Sequence, residues 1–283
     1  MTAAPPTRLL LARMHEEDRR AVEAVGHALP AIEAAALAIA SRLAAGGRWF
    51  NVGAGTSGRI GVLDASEVPP TFGVPESLVT ALIAGGPSAV RHSAEGAEDD
   101  RAAGGRDLVE AGMTGRDAVV GIAASGTTPY VLGALDHARA AGATTVGIAC
   151  VPGSPLLAAA RIAVSLDTGP EAIYGSTRLK AGTAQKLALN MLSTAVMARL
   201  GLVVEGEMVG MRPTNAKLRA RAVRIVCKLL GLGHEEARTL LDSAAWELPV
   251  ALVSGRRRIP AGAARERLSR LGGNVAAALE GPP

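Results

Sequence analysis

Aromatic side chains are nearly absent from this chain: two Trp, two Tyr and two Phe make up 2% of its 283 residues. Proteins that hold single strands of nucleic acid need stacking rings, so this scarcity argues against that class despite a net charge of +4. The basic residues are also dispersed. Only Arg256-Arg257-Arg258 forms a run, and it reads as a solvated loop. A modest basic bias suits an anionic small molecule instead.

Cysteine is equally scarce. Cys150 and Cys227 are the two present, far apart in segments that read as strand and helix, so they are expected as small packing residues and not as a disulfide or metal ligands. The five histidines are scattered with no partner at metal-binding spacing, and no metal site is expected. No apolar run is long and charge-free enough for a membrane span: residues 28–45 are the most apolar long stretch, yet they carry Glu33 and Arg42 and are dominated by alanine. The opening residues 1–6 lack a charged leader, and Leu9-Leu10-Leu11 is too short for a signal core. The expectation is a cytoplasmic protein with no membrane and no nucleic-acid partner.

What the chain does contain is organised around residues 51–70. Trp49-Phe50-Asn51-Val52 reads as a buried strand, after which Gly53, Gly55 and Gly58 permit a tight turn and close approach to a ligand. A helix starting near Ser57 would offer free N–H groups beside the hydroxyls of Thr56 and Ser57, a site suited to phosphate. Pro69-Pro70 is expected to stop that helix and leave Glu67 at its end. Taken alone, the Gly-x-Gly-x-x-Gly turn fits a dinucleotide fold or an ordinary structural turn equally well.

Further strands are predicted at 78–83, 118–123, 144–150 and 162–166. A second hydroxyl-rich turn, Ser125-Gly-Thr127-Thr128-Pro129, follows the strand at 118–123, with Thr128 placed as an N-cap and Pro129 at the first helical position. Helices are predicted from His15 to about Ala45, divided at Pro30, from Pro129 to about Ala141, and from the Gly175–Gln185 turn to about Leu200. Buried strands alternating with helices argue for an α/β fold with a doubly wound parallel sheet, whose ligands lie beyond the carboxyl ends of the strands. Past Glu205 the pattern becomes purely helical. The expected organisation is N-terminal helices over 1–46, a ligand-binding sheet domain over 47–204 and a small helical subdomain over 205–283.

Five blocks carry a resemblance: Gly53-Ala-Gly-Thr-Ser-Gly-Arg59; Leu63-Asp-Ala-Ser-Glu67 with Pro69-Pro-Thr-Phe-Gly73; Glu95-Gly-Ala-Glu-Asp99; Gly121-Ile-Ala-Ala-Ser125; and Gly175-Ser-Thr-Arg-Leu-Lys-Ala-Gly-Thr-Ala-Gln-Lys186. In this order the chain resembles the N-acetylmuramic acid 6-phosphate etherase family, built on the sugar isomerase (SIS) fold, over nearly its whole length. The resemblance implies elimination and hydration at the lactyl ether without metal or cofactor, in a homodimer. It matches Glu67 to the general acid and Glu98 to the second catalytic glutamate; since the elimination also needs a group to accept the C2 proton, Glu98 is expected as that base. The resemblance matches phosphate-loop positions to Ser57, Ser125 and Thr128, with a further phosphate contact at Thr177-Arg178; together with Gly55, Thr56 and Thr127 of the two hydroxyl loops these make up the expected sugar-phosphate site. Three departures stand out: Thr127 where the family usually has arginine, Gly210 where an aspartate is common, and a short segment before His15. A sugar-phosphate-binding regulatory protein like the glucokinase regulatory protein, or an aldose–ketose isomerase, would share the fold. The two glutamate blocks together favour the etherase.

Overall fold

The computed structural model describes residues 6–280; the reading of residues 1–5 as lacking a leader, and the last three residues of the helical subdomain, lie outside that range. The chain divides into two compact units. The first comprises the residues up to Ser66 with Glu76–Thr194, and the second comprises Glu67–Pro75 with the residues from Ala195 onward.

The elements, in chain order, are α1 (Thr7–His27), α2 (Leu29–Ala44), β1 (Trp49–Gly53), α3 (Gly55–Phe72), β2 (Val79–Ile83), α4 (Arg101–Glu110), β3 (Ala118–Ile122), α5 (Pro129–Ala140), β4 (Thr144–Ala149), α6 (Pro155–Ala159), β5 (Ile162–Ser165) and α7 (Lys180–Arg199). They continue with β6 (Val203–Val204), β7 (Glu207–Met208), α8 (Ala216–Leu230), α9 (His234–Ser243), α10 (Leu248–Arg257), α11 (Ala261–Arg270) and α12 (Val275–Leu279).

In the first unit the five strands form one sheet in the order β2-β1-β3-β4-β5, every neighbouring pair parallel. The three inner strands β1, β3 and β4 are buried along their whole length, which is why they read as unbroken apolar runs. Their side chains alternate between two helical layers. Phe50, Val52 and Val119 pack with Val131, Leu135 and Leu156 of α5 and α6. On the other face α2 packs against β4 and β5, and α3 crosses β1, where a Cβ on Gly61 would touch Asn51 and Ile122 at 3.3 Å. With so few rings, the core is built from Val, Ile, Leu and Ala at close approach.

The order 2-1-3-4-5 places the topological switch point between β1 and β3, because the chain leaves β1 for the strand on one side and returns to the other. Gly53 pairs in register with Ile122, so these two strands end level with each other.

The second unit has its own core. Val223, Ile225, Val226 and Leu229 of α8 meet Leu241 of α9, Leu248, Ala251 and Leu252 of α10, and Val275 and Ala278 of α12.

Several expectations are corrected. The first helix starts at Thr7, eight residues before His15, because residues 7–14 are mostly good helix formers and Pro6 enters at φ −52. Pro69 and Pro70 do not stop α3. They lie inside its last turns, where only two donors are lost, and the helix ends at Gly73 (φ +72), whose N–H donates to the Pro69 carbonyl at 2.8 Å. Glu67 is therefore inside a helix and not at its end. The helices α4, α6, α10 and α12 were not foreseen. Arg256 and Arg257 close α10, with Arg258 in the left-handed region beyond it, so the basic run is a helix terminus. The region past Glu205 also contains β7, paired antiparallel with β6.

Candidate active site

The first hydroxyl loop leaves β1. A Cβ on Gly53 would lie 2.7 Å from the Gly58 amide, and one on Gly58 would lie 2.6 Å from the Ile83 side chain, so both positions require glycine for the turn to close. Gly55, at φ +52, opens α3, and the helix starts two residues before the expected Ser57. Gly55 is exposed, Thr56 half-buried and Ser57 buried. The Ser57 hydroxyl donates to Oε1 of Gln185 at 2.9 Å.

The second loop leaves β3, next to the first. The Ser125 and Thr127 hydroxyls lie 2.9 Å apart and the Thr127 N–H donates to Ser125 Oγ at 3.2 Å, so Thr127, standing where arginine is usual, instead braces its neighbour. Thr128 occupies the N-cap of α5 with Pro129 following, as the sequence predicts, yet its hydroxyl makes no capping bond. The level ends of β1 and β3 thus bring Gly55, Thr56, Ser57, Ser125, Thr127 and Thr128 to the edge of the sheet where α3 and α5 present their amino termini.

The third block behaves differently. The first two N–H groups of α7, Lys180 and Ala181, donate to the Glu171 carboxylate at 3.2 and 3.1 Å, so this helix terminus already holds an anion. Lys180, the first residue of α7, is buried. It is 1% exposed and its ammonium is paired with Glu17 of α1. Thr177 and Arg178 are exposed in the preceding turn, and Arg178 pairs with no carboxylate among the described residues. Arg178 lines a cavity of about 190 Å³ together with Glu17, Asp18, Glu171 and Lys180.

Glu98 stands in a 3-10 turn after β2, and Glu67 in α3; both are exposed. Asp100, two residues past Glu98, caps α4 by accepting from the Ala103 N–H at 2.9 Å and pairs with Arg106 at 2.8 Å. Those bonds hold its carboxyl below the usual range and fix where the Glu98 turn enters α4. In the second unit, the segment carrying Glu67 meets the β6–β7 region backbone to backbone: a Cβ on Gly73 would land on the Gly210 carbonyl, and one on Gly210 on the Phe72 carbonyl. The glycine at 210, where aspartate is common, permits that approach.

Three polar residues of this region escaped sequence reasoning. Gln185 and Glu171 act across pairings that no local pattern announces. Asp64, three residues before Glu67, is 3% exposed and accepts from Ser193 Oγ at 2.9 Å and Asn190 Nδ2 at 3.0 Å. Burial pushes its carboxyl up to about 6 against those two bonds. Among the described residues no three His, Cys, Asp or Glu side chains gather as a metal site.

Comparison with known proteins decides the family. Residues 32–139 match the glucokinase regulatory protein N-terminal SIS domain, and residues 101–195 match the SIS domain. An N-acetylmuramic acid 6-phosphate etherase of Salmonella dublin is 51% identical over 277 residues, covering 98% of this chain and 93% of its own length. The chain belongs to the N-acetylmuramic acid 6-phosphate etherase family. A second etherase, from Salmonella agona, is 52% identical over 271 residues, 96% of this chain and 91% of its own. Among solved structures, a phosphoheptose isomerase from Francisella tularensis shares the fold: TM-score 0.53, 19% identity, covering 66% of this chain and 98% of its own.

Proposed function

We infer that this chain is a carbon–oxygen lyase that cleaves the lactyl ether of N-acetylmuramic acid 6-phosphate, yielding N-acetylglucosamine 6-phosphate and D-lactate. The observation that carries this reading is identity of about one residue in two with etherases across 98% of the chain.

The chemistry explains why two carboxyl groups are needed. An alkoxide leaves C3 poorly, whereas opening the sugar ring to its aldehyde makes the C2 proton acidic. One group takes that proton as the C3–O bond breaks, and another protonates the departing lactate oxygen. Water then adds its hydroxyl to C3 of the unsaturated aldehyde and a proton to C2. We assign the acid to Glu67 and the base to Glu98, each free of competing partners among the described residues. The phosphate is assigned to the two helix-terminus loops, with Ser57, Ser125 and Thr128 giving neutral donors, and with Thr177 and Arg178 contributing from their exposed turn. The uncapped Thr128 hydroxyl supports this, since a purely structural N-cap would use it. A homodimer acting in the cytoplasm on cell-wall sugar completes the reading.

The direct test is incubation of the purified protein with N-acetylmuramic acid 6-phosphate, with D-lactate assayed. No release would overturn the assignment. Alanine at both Ser125 and Thr128 should raise KM for the phosphorylated sugar about a hundredfold or more, the loss expected for two hydrogen bonds to a charged group.

A further inference from the structure

We propose that Gln185 is a positioning residue for phosphate binding: its amide, sealed beneath Ser57, sets the direction in which that hydroxyl gives its proton. The proposal rests on the phosphate-loop reading above. Gln185 is 0% exposed and lies 128 residues from Ser57 in sequence, yet its Oε1 receives the Ser57 proton at 2.9 Å. Its Nε2 is buried with no hydrogen-bond partner. A buried amide donor left unpaired is costly and uncommon, more so than a carbonyl oxygen with a spare lone pair.

The same side chain turned end for end lessens that cost by leaving an acceptor, and not a donor, unpaired. Nε2 then donates to Ser57 Oγ, the Ser57 proton is released toward an anionic oxygen, and the unpaired atom becomes Oε1. With Oε1 toward Ser57, the hydroxyl donates inward. An arriving phosphate dianion favours the turned amide, because donor, hydroxyl and anion then form one chain of aligned dipoles. Full burial keeps Gln185 from touching the ligand itself, so it acts through Ser57.

The surroundings hold the helix that carries the amide in place. The first turn of α7 is pinned by Glu171 at its amides and by the Lys180–Glu17 pair. It packs against the loop so closely that a Cβ on Gly182 would meet the Thr56 methyl at 3.4 Å. One turn further along this fixed helix, Gln185 comes beneath Ser57.

Steady-state lactate release separates the possibilities. Gln185→Met keeps bulk without polarity, and Gln185→Glu fixes an acceptor there. Both are expected to raise KM by about tenfold with kcat within about threefold, and Gln185→Met added to Ser57→Ala should change KM by less than about twofold, because the two act as one unit. A Gln185→Met enzyme with lowered Tm and unaltered KM, or one whose full KM effect persists in the Ser57→Ala background, overturns the proposal. If Ser57→Ala and Ser125→Ala both leave KM unchanged, the phosphate-loop reading fails and takes this proposal with it. If those two raise KM while Gln185→Met does not, only the role of Gln185 is lost. The wild-type protein offers an independent measurement should the variants fold poorly. The buried Gln185 side-chain amide signal in a 15N spectrum should shift on titration with inorganic phosphate, and a stationary signal refutes the turn.

Discussion

Asp64 and Glu67 are three residues apart on α3 and face opposite conditions: one carboxyl is buried, the other exposed. Burial raises Asp64 from 3.8 to about 6, so the folded protein binds a proton there more tightly than the unfolded chain does. The stabilisation from that proton is present below about pH 4 and is lost as pH rises through about 6. A shift of this size corresponds to roughly 3 kcal/mol as an upper figure. Asp64→Asn should therefore flatten the Tm-against-pH curve between pH 4 and 6.5, as differential scanning fluorimetry would record; an unaltered slope counts against a buried, titrating Asp64. Glu17 has the opposite sign. Its hydrogen bond from Lys180 holds its carboxyl low, so its contribution is present at neutral pH and fades on acidification. At the proposed reacting carboxylates, Glu67→Gln retains size and loses the proton, so lactate release should fall at least ~10²-fold, the usual scale for general acid catalysis. If Glu67 serves only as acid, that variant still exchanges the C2 proton with deuterated solvent, whereas Glu98→Gln loses the exchange. NMR of the sugar reads both outcomes, and exchange persisting in Glu98→Gln reassigns the base.

Elements were legible in proportion to how local their cause is. The strands of the sheet followed from short apolar runs bounded by turn residues, and α5 from its Thr128-Pro129 start, because period and capping act within a few residues. The helix α4 was missed for a physical reason. Its sequence Arg-Ala-Ala-Gly-Gly-Arg-Asp-Leu-Val-Glu carries two glycines, which oppose an isolated helix. Tertiary packing requires one of them: a Cβ on Gly104 would land on the Tyr130 carbonyl of α5, and in return a Cβ on Gly133 would land on the Arg101 carbonyl. The two helices touch backbone to backbone, and the contact ties the turn after Glu98 to the helix that begins at Thr128. Gly104→Ala or Gly133→Ala should cost about 1–3 kcal/mol, the usual range for overpacking, seen as a lower urea midpoint. A variant as stable as the wild type would mean that these helices separate without penalty. The proline pair at 69–70 misled in the opposite direction: the helix continues through both to Phe72, and Gly73 closes the turn.

At the scale of the whole molecule, the segment Glu67–Pro75 belongs with the C-terminal unit, although it is far from that unit in sequence. Truncation after Val204 removes Gly210 and the core formed by α8 to α12, so it should abolish lactate release; a truncated protein retaining full activity would show that unit to be dispensable. The proposed homodimer predicts about twice the 28.7 kDa chain mass in light scattering, and a mass equal to one chain overturns it. No single helix among the described residues is long and apolar enough to cross a membrane; α1 and α2 reach that length and composition only together, bent by 57°. By itself, the sequence determined the alternation of buried strand and helix and the two hydroxyl loops at strand ends, because each depends on neighbours within a turn or two; it put Glu67 at a helix end, whereas the fold holds it inside α3. Tertiary structure alone decided that β1 and β3 lie side by side with level ends, that α7 is capped by Glu171, and that Gln185 accepts from Ser57. Those pairings join residues whose separation along the chain carries no periodic signal, and they form only when burial excludes water and each polar group must find a partner inside.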